Sequence, residues 1–284
     1  MDPIGVAIFV LEAMRKTCGA GSPDAGSMHH AGADMFRRTV SIMDRTDSPK
    51  SWQGSAADAH TLANRRQQQC AQKMADVDAA VAKILWTEAG HVQATRSALD
   101  DAISYLKTCA PIADAMSLIP RGGEIAAMVF QAAVIMTAVP PAKKAYNSLV
   151  QQSFGYAAAL RTAGSGYSQA LNEQPVVPAS RDALRVNPAE LLPIAERHRE
   201  AALRTAEAAS ATEQAPQVIE RSHGIVCTPT VWALRNIHPL RTRAAELIQT
   251  RSEYLRDSVV SAADQYVAAD QHLSERTGQL QFPA

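Results

Sequence analysis

Apolar residues recur along this chain at steps of three, four and seven, and strict Val-Ile-Thr alternation is nearly absent. That period puts them on one face of successive helices, not on a pleated strand. Residues 4 to 15 predict a short helix, too short for a bilayer span of roughly 20 residues. A Gly/Ser/Pro loop follows over 18–26. Residues 28 to 45 predict a helix with Met28, Met35, Phe36, Val40 and Met43 on its stripe, and residues 55 to about 118 predict a far longer one, with Leu62, Cys70, Met74, Val77, Val81 and Leu85 facing one side. Residues 125 to 139 are the most hydrophobic stretch; they carry Gln131, stop at Pro140-Pro141, and read as a buried core helix in preference to a membrane insert. Residues 142 to 162 predict another amphipathic helix. Asn187-Pro188-Ala189-Glu190 is a helix start with an N-cap, a first-position Pro and an early acid. That helix runs to about Ser222, with Pro216 as a kink or an early end. The last helix begins near Thr230 or Pro239 and carries Ile248, Leu255, Val259, Ala262 and Tyr266 on a stripe that needs a partner.

Between the first two hairpin helices lies Ser51-Trp52-Gln53-Gly54. Gly54 suits backbone angles that a Cβ would forbid, and Trp52 offers a large rigid face to pin two helices. Ser55 followed by Asp58 reads as an N-cap with an acid in the first turn. Near the end, Tyr266 and Asp270 stand four apart, on one helical face. Read by themselves they are a core Tyr and a surface acid.

Composition narrows the function classes. In 284 residues, Lys+Arg and Asp+Glu both number 28, so nothing marks a nucleic-acid surface. Aromatics are 5% and Ala is abundant, which suits slim, closely packed helices. Met1-Asp2-Pro3-Ile4 lacks the basic start of a secretory signal peptide. Cys18, Cys70, Cys109 and Cys227 form no C-x-x-C pair and read first as four free or buried thiols. In an antiparallel hairpin with its corner at Gly54, residues near 70 face the start of the first arm, so a Cys18–Cys70 disulfide is also compatible with an exported chain. His223 and Cys227 offer two ligands without a second pair, and Gly224 with Pro229 already explains that segment as a turn, so no metal is expected. No G-x-S-x-G, H-E-x-x-H or G-x-G-x-x-G occurs, Arg121-Gly122-Gly123 lacks the Lys of a phosphate loop, and the eight His residues form no defensible pattern. Neither catalysis nor a cofactor is expected.

The Trp-x-Gly corner resembles that of the WXG substrates of type VII (ESX) secretion. More closely, Trp52-Gln53-Gly54-Ser55-Ala56-Ala57-Asp58, Ala75-Asp76-Val77-Asp78, Val92-Gln93-Ala94-Thr95-Arg96 and Ile119-Pro120 are similar to the EspA/EspE group. Leu184-Arg185-Val186-Asn187-Pro188, the His223-Gly224-x-x-Cys227 turn and Tyr266-x-x-x-Asp270 resemble the EspC group. Trp232-Ala233-Leu234 departs from the WXG pattern, so no such role passes to Trp232. The resemblance implies an all-α fold of long hairpins packed as an elongated four-helix-bundle-like structure with extra short helices. It implies an EspA/EspE-like hairpin over 1–115, an apolar helical segment over 116–165, a linker over 166–186 and an EspC-like hairpin over 187–284. It further implies Trp52, Gly54, Tyr266 and Asp270 as a secretion motif, and a secreted or cell-surface protein without a cleaved signal peptide. The expected partners are the ESX machinery, a co-secreted Esp-type protein and further copies of the chain, with membrane contact through 125–139 as an open alternative. A fused pair of two co-secreted partners, a membrane-active helical protein and a cytosolic adaptor of the secretion system are the functional readings that remain.

Overall fold

A computed structural model describes residues 2–171 and 187–278. The described chain is all-α, with no strand among these residues. Its helices are α1 (Pro3–Thr17), α2 (Ser27–Asp44), α3 (Ser55–Ser117), α4 (Gly123–Leu171), α5 (Pro188–Ser210), α6 (Ala215–His223) and α7 (Thr228–Gly278), with a 3-10 turn at Ile225–Cys227 between the last two. Local chemistry sets several starts. The Asp2 carboxylate accepts from the Ile4 and Gly5 amides at 3.0 Å, and Asn187 caps α5 with Pro188 at its first position.

The elements depart from the sequence pattern in four places. Ser55 is the first helical residue of α3, so Gly54 takes the flanking position and its carbonyl accepts from Asp58 N at 3.1 Å. The expected helix over 187–222 ends at Ser210, and Pro216 sits in the first turn of the new helix α6, where a missing N–H costs nothing. α7 begins at Thr228, close to the earlier of the two expected starts, so the only departure there is that Pro239 opens no new helix and is passed without a break. Most consequentially, α4 is continuous through Pro140-Pro141 and on through 164–171, into the stretch read as linker; residues 172–186 lie outside the described residues. The two prolines are exposed, as are Met136 and Thr137, whose carbonyls lose their helical donors and can turn to water. Further on, Gly166 lets α4 approach α3: a Cβ there would lie 2.4 Å from Val77 Cγ2.

α4 corrects a second expectation. Ala127, Val134 and Ala138 form a buried stripe, but Ile125, Met128, Val129 and Met136 are 65–71% exposed. Gly123–Leu171 is long and apolar enough to cross a membrane by length and composition, and 22% of its most apolar window is buried. It is therefore not a buried core helix over 125–139.

The chain folds into two compact units that interleave along the sequence. Unit 1 takes Met1–Ser27, Ala80–Ala163 and Gln214–Ile237, and unit 2 takes Met28–Ala79, Gly164–Glu213 and His238–Ala284. In unit 1, Ile4 and Leu11 of α1, Leu99 and Leu106 of α3, Leu149 of α4 and Val226 share one core. Above it, the buried Arg96 guanidinium donates to the carbonyls of Cys18, Gly21 and Ser222. Cys18 closes α1 and Ser222 lies in the last turn of α6, so one cation satisfies carbonyls left over at two helix ends.

Unit 2 has its own buried charge. Arg241 Nε and Nη2 reach the two Asp78 oxygens at 2.8 and 2.7 Å, and both side chains are fully buried. Tyr167 donates to Asp78 Oδ1 at 2.5 Å, Arg241 Nη2 also donates to Ala208 O at 2.8 Å, and the guanidinium lies 5.5 Å from the Phe36 ring centre. Gly32 leaves room: a Cβ there would sit 2.5 Å from Asp78 Oδ2 and 2.6 Å from Arg241 Nη2. The group thus ties α2, α3, α4, α5 and α7 together. Burial pushes the Asp78 carboxyl up, but the charge and hydrogen bonds of Arg241, with His29 nearby, outweigh it and hold the pKa at about 2. This folded value lies below the ordinary 3.8, so the contribution to stability is present above pH 3.8 and drains away as pH falls towards 2. Asp78→Ala, which strands the Arg241 charge, is expected to lower unfolding free energy by about 3–5 kcal/mol. Denaturant melts of the wild type and the variant from pH 5 to pH 2 check both points: the two curves should converge as the pH falls.

Candidate secretion-motif corner

The corner is built in unit 2. Trp52 N donates to Pro49 O at 2.8 Å, and Gly54 has φ +111°, a conformation that asks for glycine. Asn64 Nδ2 holds Met43 O at 2.9 Å and Thr46 donates to Asn64 Oδ1 at 2.8 Å, so the arms α2 and α3 are fastened just before and after the turn. Trp52 is 5% exposed. Its indole packs with Ala57, with Leu191, Ile194 and Ala195 of α5, and with Val259 and Ala263 of α7; Tyr266 closes the edge of this cluster. Ser51 adds a hydrogen bond to Glu190 at the start of α5.

Of the residues expected to form the motif, Trp52, Gly54 and Tyr266 therefore meet at one corner. Burial raises the Tyr266 phenol, and the adjacent indole N–H has no acceptor at hydrogen-bonding geometry. Asp270, one turn further on, is exposed. Cys18 and Cys70 are both buried thiols. Cys18 belongs to unit 1, its sulfur 3.5 Å from Met14 O, while Cys70 belongs to unit 2, its sulfur 3.8 Å from Ala170 O.

Two histidines missed in the sequence complete the corner. The His60 ring lies 5.1 Å from the Trp52 ring, and His60 Nε2 meets His198 Nε2 at 2.9 Å. Beside them, Trp52, His60, Leu255, Val259 and Ala262 line a mainly apolar groove of about 180 Å³. One proton order satisfies most of this chain. His198 Nε2–H donates to His60 Nε2, His60 Nδ1–H donates to Ser48 Oγ at 3.1 Å, and Ser48 donates to Ala57 O at 3.1 Å. It leaves His198 Nδ1, which has no partner, as a bare lone pair instead of a buried N–H. The available signal was position: His198 follows Leu191, Ile194 and Ala195 on the buried stripe of α5.

Burial lowers both imidazoles, His60 to about 4 and His198 to about 3, with the His60 neighbour adding to the second. Both folded values lie below the ordinary 6.5. The unfolded chain then binds more protons, so stability is full above pH 6.5 and falls as pH drops from there through 4. His198→Phe removes one of the two groups and is expected to lessen, with His60 still titrating, the fall of the thermal midpoint between pH 6.5 and 4, which a series of melts reads directly.

Residues 18–101 match the model of the EspA/EspE family, and residues 180–279 match that of the excreted virulence factor EspC, type VII ESX diderm. The chain is similar to the ESX-1 secretion-associated protein EspE of Mycolicibacterium smegmatis, 27% identical over 158 residues that make up 56% of this chain and 30% of the relative. It is also similar to the ESX-1 secretion-associated protein EspA of Mycobacterium tuberculosis, 27% identical over 132 residues, 46% of this chain and 33% of the relative. These matches span about a third of the length of the curated relatives. No solved structure matches. In both its segments the chain resembles type VII (ESX) secretion-associated proteins, EspA/EspE-like where it carries the Trp52 corner and EspC-like where it carries Tyr266 and Asp270.

Proposed function

We propose that the chain is a non-enzymatic type VII secretion substrate that acts through protein–protein contacts and holds in one molecule what two co-secreted partners would otherwise supply separately. The observation that carries this reading is the packing of Trp52, from the EspA/EspE-like segment, against Val259, Ala263 and Tyr266 of the EspC-like segment. Two halves linked in one chain meet at an effective concentration in the millimolar range for short linkers, so the corner and tail stay assembled without a bimolecular step. Tyr266 then presents its phenol at the edge of a rigid apolar cluster, with the exposed Asp270 carboxylate one turn on, as a composite signal for the ESX machinery. The place of action is the cell surface or beyond.

Export tests this. Wild type, Asp270→Ala, Tyr266→Ala and Trp52→Phe are compared in culture filtrate and lysate of a strain with a working ESX apparatus. Asp270→Ala alters an exposed side chain, so it should stay folded and be retained in the cells, and Tyr266→Ala should be retained with it. Normal export of a folded Asp270→Ala protein would overturn the reading.

The bare face of α4 favours a second reading, contact with a lipid surface through 125–139. Ile125, Met128, Val129 and Met136 are exposed together, and large contiguous apolar patches on a soluble surface mark interaction sites. Val129→Glu with Met136→Glu should abolish co-flotation with phospholipid vesicles while leaving the melting temperature within a few degrees of wild type.

A further inference from the structure

In unit 1, the turn after α6 brings two potential ligands to a third that lies far upstream. His223 ends α6, Cys227 closes the 3-10 turn and Glu88 stands in the middle of α3. All three are fully buried, and one ligand atom from each lies within 4.8 Å of the others. We propose that Glu88, His223 and Cys227 form a zinc site that clamps the α6–α7 turn to α3.

Hydrogen bonding around the ring is the first argument. His223 Nε2 is 2.9 Å from Asp24 O, a carbonyl, so that nitrogen carries the proton. In a neutral ring Nδ1 is then a lone pair, and it faces Glu88 Oε2 at 3.1 Å. Two acceptors at that distance inside a core need a cation or a proton between them. A carbonyl holding the far nitrogen of a histidine is also how proteins orient a metal ligand. Glu88 is steadied in the same way: Thr230 donates to its other oxygen, Oε1, at 2.6 Å, leaving Oε2 for the site.

Donor chemistry is the second argument. One thiolate, one imidazole and one carboxylate is a mixed set that Zn²⁺ accepts, with bonds of about 2.0–2.3 Å. At tetrahedral angles such bonds place ligand atoms ~3.3–3.6 Å apart, within reach of the observed spacings by small rotations. Mg²⁺ and Ca²⁺ prefer oxygen throughout. The charges also balance: a dication, a thiolate, a carboxylate and a neutral ring sum to zero, so the assembly is far cheaper to bury than its separate ions. Without the cation, burial and the Glu88 carboxylate push the Cys227 thiol up and keep it protonated. Zinc binding forms the S–Zn bond and releases that proton to solvent. The fourth position falls to water.

The backbone prepares the turn for such a clamp. Gly224, between the ligands, has φ +77°, and a Cβ there would lie 2.2 Å from Gly19 N and 2.3 Å from Thr17 O. The ligand-bearing turn is therefore fixed against the end of α1. Gly224 and Ile225 also line an open cleft of about 540 Å³, so the turn is reachable from solvent.

The test uses the full chain, stripped with a chelator, verified as helical and titrated with Zn²⁺ and with Co²⁺. The expected result is one equivalent bound per chain, a higher thermal midpoint with Zn²⁺, and a thiolate-to-cobalt charge-transfer band in the Co²⁺ form. Cys227→Ser should lose the band, and Thr230→Val, which frees the Glu88 carboxylate, should weaken binding by about 10–100-fold. If a folded wild type binds no stoichiometric metal and shows no band, the site is overturned, and the His223–Glu88 contact is a buried imidazolium–carboxylate pair. A band that survives in Cys227→Ser overturns it equally, because the thiolate then comes from another cysteine. Should Cys227→Ser fail to fold, the wild-type band together with the Thr230→Val affinity decides.

Discussion

The fork between Arg241 and Asp78 is the contact on which unit 2 depends. Two opposite charges are taken wholly out of water, which is favourable only when geometry and extra hydrogen bonds repay the lost hydration. Here both conditions hold: the pair is bidentate, Tyr167 donates to the carboxylate, and Arg241 spends a further donor on Ala208 O. The same guanidinium covers the Phe36 ring and serves a carbonyl in the last turn of α5, so five helices are registered by one side chain. An apolar pair of similar volume would fill the space, but would not fix which rotation of each helix faces inward.

Unit 1 solves its problem in a related way. Arg96 takes carbonyls at the end of α1 and in the last turn of α6, and two glycines, Gly19 and Gly224, let the backbones behind those ends touch. Short helices that would otherwise fray are thereby fastened to α3. The stretches that carry the family resemblance coincide with these hubs. Ala75-Asp76-Val77-Asp78 contains the acid of the buried fork, Val92-Gln93-Ala94-Thr95-Arg96 contains the arginine of the carbonyl hub, and the His223-Gly224-x-x-Cys227 turn contains the buried imidazole and thiol. Their residue types have a structural reason.

The Trp corner unites the two segments chemically. A tryptophan that is nearly buried needs an apolar socket from elsewhere in the chain, and α5 and α7 supply it. The neutral pair His60–His198 lies under that socket and adds a proton-sensitive element to an otherwise apolar contact. Over 125–139 of α4, by contrast, Ala127, Val134 and Ala138 face inward while the larger Ile125, Met128, Val129 and Met136 face out. That outward apolar face is what the lipid-contact reading of the chain rests on.

Periodicity by itself determined the helical class, the long α3 and the corner at Trp52-Gln53-Gly54, because those depend on local spacing and on what a glycine or a proline permits. It also marked Tyr266 as a stripe residue of α7. It did not reveal that α4 runs through Pro140-Pro141, because a helix tolerates a proline where the crowded, freed carbonyls can tilt out to water, and the exposure that allows this is set by the tertiary packing. The pairing of His60 with His198, and of Glu88 with His223 and Cys227, was beyond it as well. Their partners are 138 and 135 residues apart, and no local pattern encodes which turns of two distant helices meet. The interleaving of the two units has the same origin: α3, α4 and α7 each continue from one unit into the other, so the tertiary packing, not the order of segments, decided which residues share a core.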